Sequence, residues 1–170
     1  MATLKKAHEE LFRRSPDECF STFGDLRDFC RQEREYSGDR WQTPQTLKPK
    51  VEAGSVTLTM ESGPDRRLTD WSFSQICRMS GVSKDTVNRL SADTASRVLQ
   101  ETLPSSDKPV QLLTTGPTIR SIHGAAYTRL WNDELLDVVH EYAPDFQPPQ
   151  TAMNEGTGLY CGEQDMFCFL

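Results

Sequence analysis

Histidine is scarce in this chain of 170 residues: His8, His123 and His140 stand far apart on different expected elements. None makes a metal-binding pair at helical or turn spacing, so no metal is expected, and the lone His123 reads as a structural histidine. The five cysteines, at 19, 30, 77, 161 and 168, never form a Cys-x-x-Cys pair. An odd number of scattered thiols, with Cys19, Cys30 and Cys77 at apolar positions of helical patterns, suits core packing in a reducing compartment. Cys161 and Cys168, taken as parts of one strand, point to opposite faces and share no metal. Long hydrophobic runs are missing too. No stretch nears the roughly 18 apolar residues of a membrane span, and the N-terminus, with Lys5, Lys6, Glu9 and Glu10, has no signal-peptide core. A cytoplasmic protein without membrane contact is the expectation.

The usual catalytic sets are lacking as well. Cys161 or Ser121 with His123 comes nearest to a nucleophile and its base, at a spacing that chance would supply equally well. Gly54, Gly63 and Gly116 belong to turns, and no glycine-rich loop cradles phosphate. No catalytic residue, no cofactor and no enzymatic activity are therefore expected.

Positive charge is absent from the end of the chain. After Arg129 there is no Lys or Arg, whereas Asp133, Glu134, Asp137, Glu141, Asp145, Glu155, Glu163 and Asp165 supply eight acids. From Arg66 to Gln100, by contrast, six basic residues (Arg66, Arg67, Arg78, Lys84, Arg89, Arg97) face three acids (Asp70, Asp85, Asp93). The net charge of −6 argues against a non-specific polyanion binder, but this distribution fits either a nucleic-acid face or an acidic surface for a basic partner.

The chain is organised around Trp71–Leu103. Apolar Phe73, Ile76, Cys77 and Met79, then Val82, Val87 and Leu90, follow two short helical periods broken at Gly81. This is the spacing of a helix-turn-helix. Gly81 suits the left-handed corner and Ser83 caps a second helix from Lys84. Val82, Val87 and Leu90 then turn inward, and Ser83, Lys84, Asp85, Asn88 and Arg89 turn outward, where they meet phosphates and base edges. The same pattern also serves helical hairpins that only pack.

Elsewhere, residues 3–13 read as a helix capped by Thr3. Ser15, Pro16 and Glu18 signal another, carrying Cys19, Phe20, Phe23, Leu26, Phe29 and Cys30 inward to about Tyr36, with Arg31, Glu33, Arg34 and Glu35 as its solvated end. Gly38–Gln45 reads as a loop anchored by Trp41. Alternation around Val56, Leu58 and Met60, with Ala53-Gly54 as the turn, predicts a hairpin. A third helix runs from Ser91 or Ala92 to Leu103, with Ala95, Val98, Leu99 and Leu103 inward. A second hairpin pairs Pro109–Thr115 with Thr118–Leu130 across Gly116-Pro117, placing Arg120, Tyr127 and Arg129 on one strand. Tyr127 and Arg129 share a face there, fit to hold a single-stranded base and its phosphate. Asn132 caps a helix burying Leu135, Leu136, Val138, Val139 and Tyr142, and residues 143–158 form a long loop. The final Asp165–Leu170 reads as a strand that stops in midstream, either cut there or ending flush. The expected class is α+β: N-terminal helices over residues 1–37, then a domain over 38–170 with a mainly antiparallel sheet and an inserted helix-turn-helix-like segment.

The segment Arg120–Leu136, with Arg120 opening a strand, Tyr127 beyond it and Asn132 before a Leu-rich helix holding Leu135, resembles a phage- and plasmid-associated family, the domain of unknown function 932. Residues 70–103 and 157–170 are similar to their family counterparts, so the resemblance runs from about Trp41 onward. It implies an N-terminal portion of a longer protein that travels with mobile elements, working on DNA or against host defence. It implies no catalytic residues. Two functions compete. One is an accessory protein that binds nucleic acid, DNA above all, through Ser83, Lys84, Asn88 and Arg89, aided by Arg120, Tyr127 and Arg129. The other is an inhibitor or interaction module that docks on a host defence protein through Asp133, Glu134, Asp137 and Glu141.

Overall fold

A computed structural model describes residues 18–61, 63–147, 158–163 and 165–170. The expected helix at 3–13, the Ser15-Pro16 start signal and most of the 143–158 loop lie outside them. The elements are α1 (Phe23–Glu35), β1 (Ser37–Gln42), β2 (Lys48–Glu52), β3 (Ser55–Thr59), β4 (Arg66–Leu68), α2 (Asp70–Met79), α3 (Lys84–Val87) and α4 (Ala92–Thr102). There follow β5 (Val110–Thr115), β6 (Thr118–Gly124), α5 (Asn132–Tyr142), β7 (Leu159–Cys161) and β8 (Met166–Cys168). The class is α+β, as expected. The chain divides in space into Tyr36–Thr128 and the remainder, which joins the segment up to Glu35 with Arg129–Leu170. α1 finds its partners at the far end of the sequence.

Tyr36–Thr128 is built on a six-stranded sheet in the order β1-β5-β6-β4-β3-β2, antiparallel except where β4 lies parallel to β6. The β2–β3 hairpin forms as expected, with Glu52 opposite Ser55 and only Ala53 and Gly54 between them. Leu58, Leu112, Ile119 and Ile122 from the strands and Ile76, Cys77, Val87, Ala95 and Leu99 from the helices make one buried core. Two strands escape the sequence pattern. β1 was expected as a loop, since Ser37–Gln42 has no apolar alternation; it holds its place by pairing with β5, and Trp41 is 56% exposed rather than an anchor. The three residues of β4 are too few to show a period.

The return strand ends at Gly124, six residues short of the expected Leu130, because the Tyr127 amide donates to the Gly124 carbonyl and turns the chain. Register also slips within it: Leu113 faces Ser121 while Thr114 faces Ile119, so Arg120 is an extra residue, a bulge. That bulge lets Ile119 and Ile122, three apart, both enter the core.

The rest of the chain has its own core of Leu26, Cys30, Leu136, Leu159 and Cys161. Here α1 begins at Phe23, with the Thr22 hydroxyl accepting from the Asp25 amide, and Cys19 forms a β-bridge to Tyr160 instead of a helical turn. Phe29 is 38% exposed, not inward. On α5, Trp131 rather than Asn132 is the cap, and it makes no side-chain cap bond. Only Asp133 and Leu136 of that helix are buried, while Leu135, Val138 and Tyr142 are exposed. The closing segment is a hairpin and not one strand: Leu159 pairs with Cys168 and Cys161 with Met166. Cys161 and Cys168 consequently share a face, since the turn between them reverses the strand parity that an unbroken strand would impose.

Candidate nucleic-acid interface

The helical segment is fastened to the sheet by side chains at the start of α2. Because β4 stops at Leu68, β6 past Ile119 has no strand on that side and its backbone groups need other partners. Ser72 Oγ donates to the Ile119 carbonyl at 2.7 Å, Thr69 Oγ1 to the Arg120 carbonyl at 3.0 Å, and Gln75 Oε1 accepts from the Ile122 amide at 2.7 Å. Thr69 also caps α2, its hydroxyl accepting from the Ser72 amide. Sheet bulge and helix start are therefore one hydrogen-bonded unit.

At the other end of α2 the corner is a Schellman motif. The Gly81 amide donates to the Arg78 carbonyl at 3.1 Å and the Val82 amide to the Cys77 carbonyl at 3.0 Å, with Gly81 at φ +67°. A side chain there would strain the left-handed backbone. Ser83 then caps α3 through the Thr86 amide, as expected.

The second helix is shorter than the pattern predicts. α3 covers four residues, about 6 Å, before bonds from the Arg89 amide to Thr86 and from the Leu90 amide to Val87 tighten the chain, and Ser91 caps α4 afresh. Thr86, Val87 and Asn88 are weak helix formers, and Ser91 prefers a cap to a helix interior. Val87 is buried as expected, whereas Leu90 is 37% exposed. Beside this turn lies an open groove of about 400 Å³, with Phe73, Val87 and Leu90 among its apolar walls and Asp70 and Asn88 among its polar ones.

Among the expected contact residues, Ser83, Asn88 and Arg89 are exposed. Lys84 is different: its Nζ lies 2.5 Å from Asp70 Oδ1, fourteen positions back, a partner that local spacing does not reveal. Arg78 and Arg89 are exposed and make no ion pair among the described residues. Arg78 was counted in the basic stretch but not singled out. The buried Cys77 thiol is pushed up by its burial, against a smaller opposing pull from Lys84, and stays protonated.

Arg120, Tyr127 and Arg129 do not share a strand. Arg120 is the bulge residue, and the Tyr127 ring, past the strand end, stacks on His123 with centroids 3.9 Å apart and planes 11° apart. Arg129 belongs to the other unit, where its guanidinium lies 5.4 Å from the Trp131 ring centroid. The expected basic and aromatic face on one strand is thus not formed, because the strand stops at Gly124.

Three of the four acids assigned to partner docking are neutralised within their own unit. Arg27, Arg31 and Arg34 recur along one face of α1, and that face meets α5. Arg34 reaches Asp133 at 2.9 Å and Glu134 at 2.8 Å; Arg31 reaches Asp137 at 2.7 Å and Arg27 the same carboxylate at 3.7 Å. Hydrogen bonding to Asp133, then the charges of both acids, push the Arg34 guanidinium up against its partial desolvation. The presumed solvated end of α1 is in fact a helix-helix seam. Glu141 is exposed and makes no ion pair among the described residues.

The division in space sharpens the charge asymmetry. Tyr36–Thr128 carries eleven Lys and Arg against nine Asp and Glu, and the rest of the chain eight against sixteen. Among the described residues no group of three or more His, Cys, Asp or Glu is placed to hold a metal ion, and no helix is long and apolar enough to cross a membrane. No protein-family model, no curated protein and no solved structure matches the chain.

Proposed function

We propose that the protein is a cytoplasmic, non-enzymatic accessory protein of a mobile genetic element that binds DNA through the α2–α3 corner. The observation that carries this reading is the exposure of Asn88 and Arg89 on a rigidly capped turn, with Arg89 uncompensated by any carboxylate among the described residues. The single-turn α3 is too short to lie along a major groove, so the contact is mainly to phosphates, with Arg78 and Arg89 as the cations and Asn88 as the polar contact. The mobile-element setting rests on the family resemblance of Arg120–Leu136. Docking on a host defence protein through α5 is the weaker reading, because Asp133, Glu134 and Asp137 already hold arginines of α1.

Fluorescence-polarisation titration against single- and double-stranded DNA at two salt concentrations tests it. Binding that weakens steeply with salt, and that falls when Arg78 and Arg89 are both changed to alanine, is the expected result. Salt-insensitive binding, or a double variant that binds like the parent, overturns it.

A further inference from the structure

Two buried thiols of the smaller core touch each other. Cys30 on α1 and Cys161 on β7, 131 positions apart in sequence, bring their sulfurs to 4.0 Å inside the smaller core, with 3% and 2% exposure. No disulfide joins them: both are thiols. Sulfurs at this separation are in van der Waals contact, about 2 Å beyond the length of a covalent S–S bond. Their surroundings also differ. Asn132 Nδ2 donates toward Cys161 Sγ at 3.7 Å and the Cys30 thiol donates to the same sulfur. Cys30, as the donor, keeps its proton.

We infer that Cys30 and Cys161 are an intrachain disulfide site, oxidised by a small-molecule diazene, disulfide or peroxide, whose bond locks α1 to the β7–β8 hairpin. With diamide the Cys161 thiolate adds to one nitrogen of the N=N bond. The Cys30 sulfur then displaces that nitrogen, forming the S–S bond. The two thiols lose two electrons and two protons, and both are taken up by the diamide as it becomes the hydrazine. Burial makes the first step slow, because the reagent reaches the sulfurs only through local opening of the fold. The loop closed by the bond is long, so the product is held firmly once made.

The test treats the native full chain with diamide, then denatures it, alkylates the free thiols and maps the peptides. Three alkylated cysteines and one linked pair of peptides, carrying Cys30 and Cys161, are expected. Dithiothreitol should restore five. The thermal midpoint of the oxidised protein should rise, on the order of 10 °C. Cys168→Ser should leave the link intact, whereas Cys161→Ser should abolish it. Five alkylated cysteines after prolonged treatment, or a link that joins Cys161 to Cys168 instead, overturns the assignment. The mapping needs only the unaltered chain, so a variant that fails to fold does not blunt it.

Discussion

Lys84 and Asp70 join the first residue of α3 to the first residue of α2 by an ion pair of 2.5 Å. The pair spans the corner and takes one cation out of any surface offered to phosphate. Arg89, five positions on, makes no ion pair among the described residues. Changing Asp70 to Asn should therefore raise DNA affinity, roughly 2- to 10-fold at low salt, by removing an anion and releasing Lys84. Arg89→Ala should lower the salt slope by about 1, and Lys84→Ala by less. Polarisation titrations across salt check this, and equal effects of Arg89→Ala and Lys84→Ala would contradict it.

Ser72 is fully buried at the seam between α2 and the bulged strand, its hydroxyl given to the Ile119 carbonyl. Ser72→Ala should destabilise the chain by about 1–2 kcal/mol, read as a lower urea midpoint at unchanged slope. An unchanged midpoint would mean that the Thr69 amide, which also reaches Ile119, satisfies that carbonyl alone.

Ala53 is the one non-glycine among the described residues with a positive φ, 49°, at the first position of the β2–β3 turn. Its methyl group meets the backbone in this left-handed region, while asparagine tolerates it and favours such two-residue hairpins before glycine. Ala53→Asn should stabilise by about 0.5–1 kcal/mol. Calorimetry that finds no gain would show the hairpin relaxing to another turn.

A Cβ at Gly162 would fall on the hydroxyl and the adjoining ring carbon of Tyr160, which is fully buried. Gly162→Ala should cost about 1–3 kcal/mol through overpacking. Tyr160→Phe in the same chain should recover part of that loss, because it removes the oxygen in the way; strictly additive effects of the two changes would argue against the clash.

The Thr59 hydroxyl donates to Asp65, and Lys50 lies 3.5 Å from the same carboxylate; together, against a smaller desolvation, they hold it below its ordinary value of 3.8. The folded state thus binds this proton less readily than the unfolded state. The contribution is complete above about pH 4 and disappears as pH falls through the folded value. Acid titration of Asp65→Asn should show a shallower loss of stability on that limb, and curves that superimpose would exclude the linkage.

What the sequence determined by itself is what neighbouring residues settle among themselves. The Gly81 corner, the caps at Ser83 and Ser91, the turn at Ala53-Gly54 and the core positions Ile76, Val87, Leu99 and Leu58 all follow from spacings within about one or two turns of chain. The candidate interface was legible only to that depth: its corner could be read, but the halt of α3 after one turn and the loss of Lys84 to Asp70 could not. Tertiary structure decided the rest. β1 and β4 exist because a partner strand accepts their backbone groups, and the bulge at Arg120 because Thr69, Ser72 and Gln75 satisfy what it leaves open. The acids of α5 meet the arginines of α1 about a hundred positions away, and Cys30 meets Cys161 at 131. Hydrophobic spacing reports which face of a segment turns inward; it carries no record of which distant charge, thiol or carbonyl will be waiting there.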